Sequence, residues 1–230
     1  MNLYNHFFRI RAKFLPQKIK DFIRNQFYYF GIFPKYGDSL INKGKLEFML
    51  FLIEKCIYEN LEGDIIECGV FRGGSALQIG KKLKKLKSNK KLFALDTFEG
   101  HPFHTKEDYM PDGKLYMCKS CFSNTSHDKV KEIVKKNKLN NVILLKGRFD
   151  QIFPSLKDRK FCFAHIDADL YVSIKQCIEF LKDRMVKSGI ILFDDYNSPV
   201  CGEANKAIEE MLGKSFIVVL PEKGCYWIKK

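Results

Sequence analysis

The chain has 230 residues, 46% of them hydrophobic and 29% charged, with a formal net charge of +13. That length and apolar content suit one large domain, or one domain with an extension, and exclude collagen, a coiled coil and wholesale disorder. No apolar run reaches the ~18 residues of a membrane-crossing helix, and the N-terminus lacks an apolar stretch with a small-residue cleavage site, so a cytoplasmic location is expected.

Residues 1–60 read as an N-terminal helical extension. Residues 1–30 are aromatic and basic, and Ile19, Phe22, Ile23, Phe27 and Phe30 recur at helical spacing after Pro16. Pro34 and Gly37 break the pattern. Residues 42–60 predict a second amphipathic helix, with Leu46, Met49, Leu50, Ile53 and Ile57 on one face. The extension could cover a substrate, join two copies, meet an anionic membrane surface through residues 1–30, or simply pack on the domain.

From residue 61 onward the chain reads as a single α/β domain. Strands are predicted at 64–68, 91–95, 142–146, 161–166 and 189–193, and helices at 73–86, 126–137, 171–185 and 204–212. Strands at 216–220 and 225–228 flank Pro221–Gly224 as a closing hairpin. The alternation predicts a Rossmann-like, mostly parallel sheet of seven strands, with helices on both faces and an antiparallel C-terminal edge. Residues 97–125 carry no periodicity. They hold His101, His104, Pro102, Pro111 and Gly113 and read as an active-site loop.

The positive charge is mostly lysine on solvated helix faces, as at Lys81, Lys82, Lys84, Lys85 and Lys87. Arginine and aromatic residues are not interleaved there, so no specific nucleic-acid partner is expected. The eight cysteines form no framework. Cys118 and Cys121 make one C-x-x-C, which lacks the second half of a zinc site and reads as incidental.

Carboxylates end four predicted strands: Glu67, Asp96, Asp167 and the pair Asp194–Asp195. Ligands of open α/β sheets bind beyond the carboxyl ends of the strands, so these five acids should share one edge. One acid there could be a helix cap; five need something positive to offset their repulsion. The first turn runs Glu67-Cys-Gly69-Val-Phe-Arg72-Gly73-Gly74-Ser75. Its glycines let backbone approach a ligand, and Ser75 opens a helix. The spacing is neither G-x-G-x-x-G nor a P-loop, which argues against a dinucleotide oxidoreductase. Asp96 ends the second strand, where a carboxylate can bridge two ribose hydroxyls. Asp167, Asp194 and Asp195 end neighbouring strands and make a hard oxygen site suited to Mg²⁺, with Ca²⁺ or Mn²⁺ as alternatives.

Glu67–Ser75, Asp96-Thr-Phe-Glu-Gly100, Gly147-Arg-Phe-Asp150, His165-Ile-Asp-Ala-Asp-Leu-Tyr171 and Phe193-Asp-Asp-Tyr196 together resemble the macrocin O-methyltransferase family, over about residues 61–230. The catechol and caffeoyl-CoA O-methyltransferases are more distantly similar. The resemblance implies a class I methyltransferase fold and transfer of a methyl group from S-adenosylmethionine to a hydroxyl of a sugar or glycan-type acceptor. It implies that Glu67, Gly69, Arg72, Gly73 and Ser75 surround the methionine part of the cofactor. Asp96, with Thr97 and Phe98, would take the ribose, and Gly147, Phe149 and Asp150 would lie near the adenine. Asp167, Asp194 and Asp195 would hold a divalent metal that clamps and acidifies the acceptor hydroxyl. A homodimer, with residues 1–60 as lid or dimer element, is also implied. The catechol-type enzymes carry a lysine base three residues after the first metal aspartate, a position held here by Leu170. Asp167, itself beside the cofactor, is then the expected base, with Asp169, His101 and His104 as alternatives. Tyr171 and Tyr196 either line the acceptor pocket or pack with bonded hydroxyls. A nucleic-acid methyltransferase would show an Asn/Asp-Pro-Pro-Tyr/Phe motif, which is absent. A non-catalytic S-adenosylmethionine- or glycan-binding protein would show a broken metal set, which is intact.

Overall fold

A computed structural model describes residues 35–110, 112–117, 120–198, 201, 203–220 and 224–230. The predicted helix within residues 1–30 lies outside the described residues. Helix α1 (Lys43–Tyr58) starts at Asn42, whose side chain caps it by accepting the Lys45 backbone N–H at 2.8 Å. Its buried stripe is Met49, Leu52, Ile53 and Cys56, the i, i+3, i+4, i+7 pattern. Leu46, Leu50 and Ile57, expected on the same face as Met49 and Ile53, flank that stripe half-buried.

Beyond it run β1 (Asp64–Cys68), α2 (Gly74–Lys85), β2 (Leu92–Asp96), α3 (His127–Lys136), β3 (Val142–Lys146) and the short α4 (Phe149–Ile152). They are followed by β4 (Phe161–Ile166), α5 (Tyr171–Leu181), β5 (Met185–Phe193), α6 (Ala204–Leu212), β6 (Ile217–Leu220) and β7 (Gly224–Ile228). The seven strands form one sheet in the order β3-β2-β1-β4-β5-β7-β6. All pairings are parallel except those of β7 with β5 and β6. The order reverses at β1, which places the crevice for a ligand between β1 and its neighbours β2 and β4.

Two apolar clusters, one on each face, explain why the central strands read as unbroken apolar runs. Ile65 packs with Met49, Ile53, Ile79 and Leu83 under α1 and α2, while Ile66 packs with Phe161, Ile174, Ile178 and Ile208 under α5 and α6. Helix α1 is thus one of the elements covering the sheet. No helix among the described residues is long and apolar enough to cross a membrane.

Two boundaries differ from expectation. Helix α5 stops at Leu181, and β5 begins at Met185 rather than 189. Ser188 and Gly189 read as a turn, yet the strand passes through them, with Ser188 at φ +63° and a register shift against β4. Within 97–125 the structure adds one 3₁₀ turn at Lys106–Asp108 and a bridge between Tyr109 and Leu115.

Candidate active site

The strand ladders continue one rung past the regular strands. Gly69 N donates to Leu95 O and Asp167 N to Cys68 O, each at 2.9 Å. Asp194 N donates to Ile166 O and Gly147 N to Asp96 O, each at 3.0 Å. The residues at which the sequence changes from apolar to acidic or glycine are therefore held side by side along one edge. Above them opens a cavity whose mouth reaches solvent.

Gly69, Arg72, Ser75, Asp96, Thr97, Gly147, Phe149 and Asp167 line this cavity. Gly69 sits at φ +98°, and a Cβ there would lie 1.8 Å from the backbone oxygen of Asp167, so only glycine lets β1 and β4 close together at their ends. Gly73 precedes α2 in the left-handed conformation at φ +79°, and the first two residues of that helix, Gly74 and Ser75, line the cavity.

Asp96 ties this turn to β2. Its Oδ2 accepts the Val70 and Phe71 amides at 2.7 and 2.8 Å, and its Oδ1 accepts the Phe98 amide at 2.6 Å. A carboxylate offers about four lone-pair directions, and the fourth is met only by the Thr97 hydroxyl at a long 3.5 Å from Oδ1, a contact that a ribose hydroxyl would displace. Asp96 is as much a scaffold of the first turn as a ligand group.

Four expected residues stand behind the lining. Glu67 is fully buried, with Oε1 3.2 Å from Nδ1 of His165, its register neighbour on β4. Glu67 Oε2 is buried without a hydrogen-bond partner among the described residues. Phe98 is buried edge-on to His127. Gly73 packs toward Val130. Asp150 pairs with Arg148 at the surface.

Asp167, Asp194 and Asp195 each offer an oxygen, all within 4.8 Å of one another. Burial pushes the Asp167 carboxyl well above its ordinary range, reinforced by the charges of Asp194, Asp195 and Asp169. Burial raises Asp195 to about 7, with Asp169 and Asp194 adding to it. Asp169 takes φ +58°, donates its amide to Asp195 Oδ2 at 3.0 Å, and sets Oδ2 3.3 Å from Nε2 of His101. Two of the three alternative bases, His101 and Asp169, thus form a pair on the cavity wall, and the third, His104, does not line it. Leu170 is buried and precedes α5. The hydroxyls of Tyr171 and Tyr196 bind Glu210 and Glu209 on α6, and neither tyrosine lines the cavity.

The fold and the site together resemble known proteins. The macrocin O-methyltransferase family matches residues 17–228. The chain belongs to that family. The mycinamicin III 3''-O-methyltransferase of Micromonospora griseorubida is 24% identical over 202 residues, covering 85% of this chain and 80% of that protein. The demethyldecarbamoylnovobiocin O-methyltransferase of Streptomyces niveus is 25% identical over 205 residues, covering 84% and 76%. Among solved structures, the O-methyltransferase NovP superposes with a TM-score of 0.72 at 23% identity, over 84% of this chain and 82% of that one. The calicheamicin methyltransferase CalS11 superposes with 0.69 at 17%, over 98% and 90%. The macrocin-type chain described here is an S-adenosylmethionine-dependent O-methyltransferase, built on the class I fold.

Several residues of this macrocin-type site were not evident from the sequence. Asp38, Ser39, Leu40 and Ile41, just ahead of α1, line the cavity, and a Cβ on Gly74 would meet the Ser39 backbone at 2.3 Å. Phe103 and Phe122 supply apolar wall from the long loop. Cys121, read as half of an incidental C-x-x-C, is disulfide-bonded. Lys45 of α1 donates from Nζ to the backbone oxygen of Asp194 at 2.8 Å and to its Oδ2 at 3.0 Å. Burial lowers the Lys45 pKa, but the pairing with Asp194 and the charges of Asp195 and Asp167 outweigh it and leave the ammonium held above its usual range.

Proposed function

We propose that the protein methylates a hydroxyl of a sugar or glycan-type acceptor, with a divalent cation, Mg²⁺ by donor type, held by Asp167, Asp194 and Asp195. The observation that carries this is Asp167, which lines the cofactor cavity and also belongs to the three-carboxylate cluster. Three hard oxygen donors, two of them raised in pKa by burial first and by one another's charge next, fit a divalent cation. Sugars are supported by relatives whose names specify them. One is an 8-demethyl-8-(2,3-dimethoxy-alpha-L-rhamnosyl)-tetracenomycin-C 4'-O-methyltransferase of Streptomyces olivaceus, 23% identical over 175 residues.

When bound, the cation supplies a Lewis acid that lowers the pKa of a neighbouring hydroxyl. S-adenosylmethionine supplies the sulfonium methyl. The protein's own part is positioning and charge. The first turn and Asp96 hold the donor at the β1 and β2 ends. Asp167 takes the proton of the acceptor hydroxyl at a carboxylate oxygen. The His101–Asp169 pair is the second candidate for that proton. Phe103, Phe122 and Phe149 keep water from the donor side of the cavity. The test is S-adenosylhomocysteine release with a panel of free and nucleotide-linked sugars, in Mg²⁺ and in EDTA. Sugar-dependent release that EDTA abolishes is expected. Release undiminished by EDTA would remove the metal from the reading, and turnover with catechols alone would remove the sugar.

A further inference from the structure

Lys45 is a cation that the fold delivers to the carboxylate cluster from a distant part of the chain. It stands in the first turn of α1, fixed there by the Asn42 cap on its own backbone N–H. Its side chain reaches a residue 149 positions away and gives Asp194 two hydrogen bonds, one to the backbone oxygen and one to the carboxylate. Only 18% of the Lys45 side chain and 20% of the Asp194 side chain are exposed, so this is not a solvent-screened surface pair. The bonded carboxylate is one of the three whose oxygens lie within 4.8 Å of one another.

We propose that Lys45 is a tethered counter-cation of this cluster, which competes with the divalent cation for Asp194 and thereby sets how tightly the site holds metal. The inference rests on the reading of Asp167, Asp194 and Asp195 as a metal site. Three carboxylates packed together in a buried corner destabilise one another, and one fixed ammonium offsets part of that. The same ammonium repels an arriving divalent ion. At a separation of roughly 6 Å, even in a water-like dielectric, a single charge facing a double one changes affinity about tenfold, and more in a drier site. A lysine that merely held Asp194 in the right rotamer would act with the opposite sign, since its loss would disorder a ligand and weaken metal binding.

The experiment is a titration of the full-length protein with Mn²⁺ alone, free Mn²⁺ being read by electron paramagnetic resonance. Wild type is compared with Lys45→Met and Lys45→Arg. Lys45→Met should bind Mn²⁺ about tenfold more tightly, and Lys45→Arg, which keeps the charge, should stay within about twofold of wild type. Should Lys45→Met fail to fold, Lys45→Gln gives the same reading, because it removes the charge and keeps a donor for Asp194. Unchanged or weaker binding by the neutral variant, with wild type binding normally, would overturn the inference and leave the metal reading standing. Absence of Mn²⁺ binding by wild type and both variants would overturn the two together.

Discussion

Asp195→Asn should make the metal-free protein more stable at pH 8, and only about a third as much more stable at pH 5. Asp195 is 5% exposed, and its carboxyl is raised from an ordinary 3.8 to about 7 by burial first and by Asp169 and Asp194 next. A carboxyl whose pKa is raised by folding favours the folded state below its unfolded pKa and loses that contribution as pH rises through the folded value. The loss therefore falls between about pH 4 and pH 7. About three pH units at ~1.36 kcal/mol each set a ceiling of about 4 kcal/mol. The coupled carboxylates share this cost, so roughly half, ~2 kcal/mol, should be recovered by removing one charge. For a chain of this size that corresponds to an increase in Tm of roughly 4–8 °C. Asparagine can still accept the Asp169 amide that now bonds Asp195 Oδ2 at 3.0 Å, and gives up only the weak bond that Oδ1 accepts from Cys201 Sγ at 3.3 Å. The assay is thermal and urea unfolding in EDTA at pH 5 and pH 8, repeated with saturating Mg²⁺. Mg²⁺ should stabilise wild type at pH 8 and stabilise the variant much less. Equal stability of the two proteins at pH 8 in EDTA would refute the reasoning.

Two glycines test how the strand ends are built. Gly69→Ala forces a Cβ to 1.8 Å from the Asp167 backbone oxygen at φ +98°, and urea denaturation should show a loss of ~3 kcal/mol or more, or no folded protein. Gly74→Ala meets Ser39 Cα at 2.3 Å and should push residues 38–41 off the cavity wall while the sheet stays intact. Calorimetry should then show S-adenosylmethionine binding weakened by about tenfold, the range expected when one wall of a preformed pocket is displaced.

Much of this was legible in the sequence because each of the five parallel strands ends where apolar residues give way to an acid or a glycine. The ladder confirms the physical sense of that signal: Gly69, Asp167 and Asp194 each donate a backbone N–H to the neighbouring strand and then turn away. The start of β5 was misplaced because Lys187-Ser188-Gly189 carries the composition of a turn. Pairing with β4 and β7 carries the strand through it regardless. The stripe of α1 was displaced by about one residue, since a window of apolar residues on nearly every face fixes the period better than the phase. Lys45 was invisible for a deeper reason. A helical period says that a lysine sits on a helix, while its partner, 149 residues away, is set by how α1 lies over β4 and β5. The same holds for residues 38–41, which line the cavity only because they press on Gly74. The 97–125 loop had no periodicity to read. Its contribution, Phe103, Phe122 and the His101 contact with Asp169, depends on tertiary packing alone.

The most direct test of the account is calorimetric titration of S-adenosylmethionine into wild type and Asp96→Ala, each checked for folding by thermal melt. Wild type should bind in the micromolar range and the variant not at all, because Asp96 both lines the cavity and holds the Val70, Phe71 and Phe98 amides that shape it. Wild-type protein that binds no S-adenosylmethionine, with or without Mg²⁺, would contradict it. Undiminished binding by a folded Asp96→Ala would contradict the site as it is drawn here.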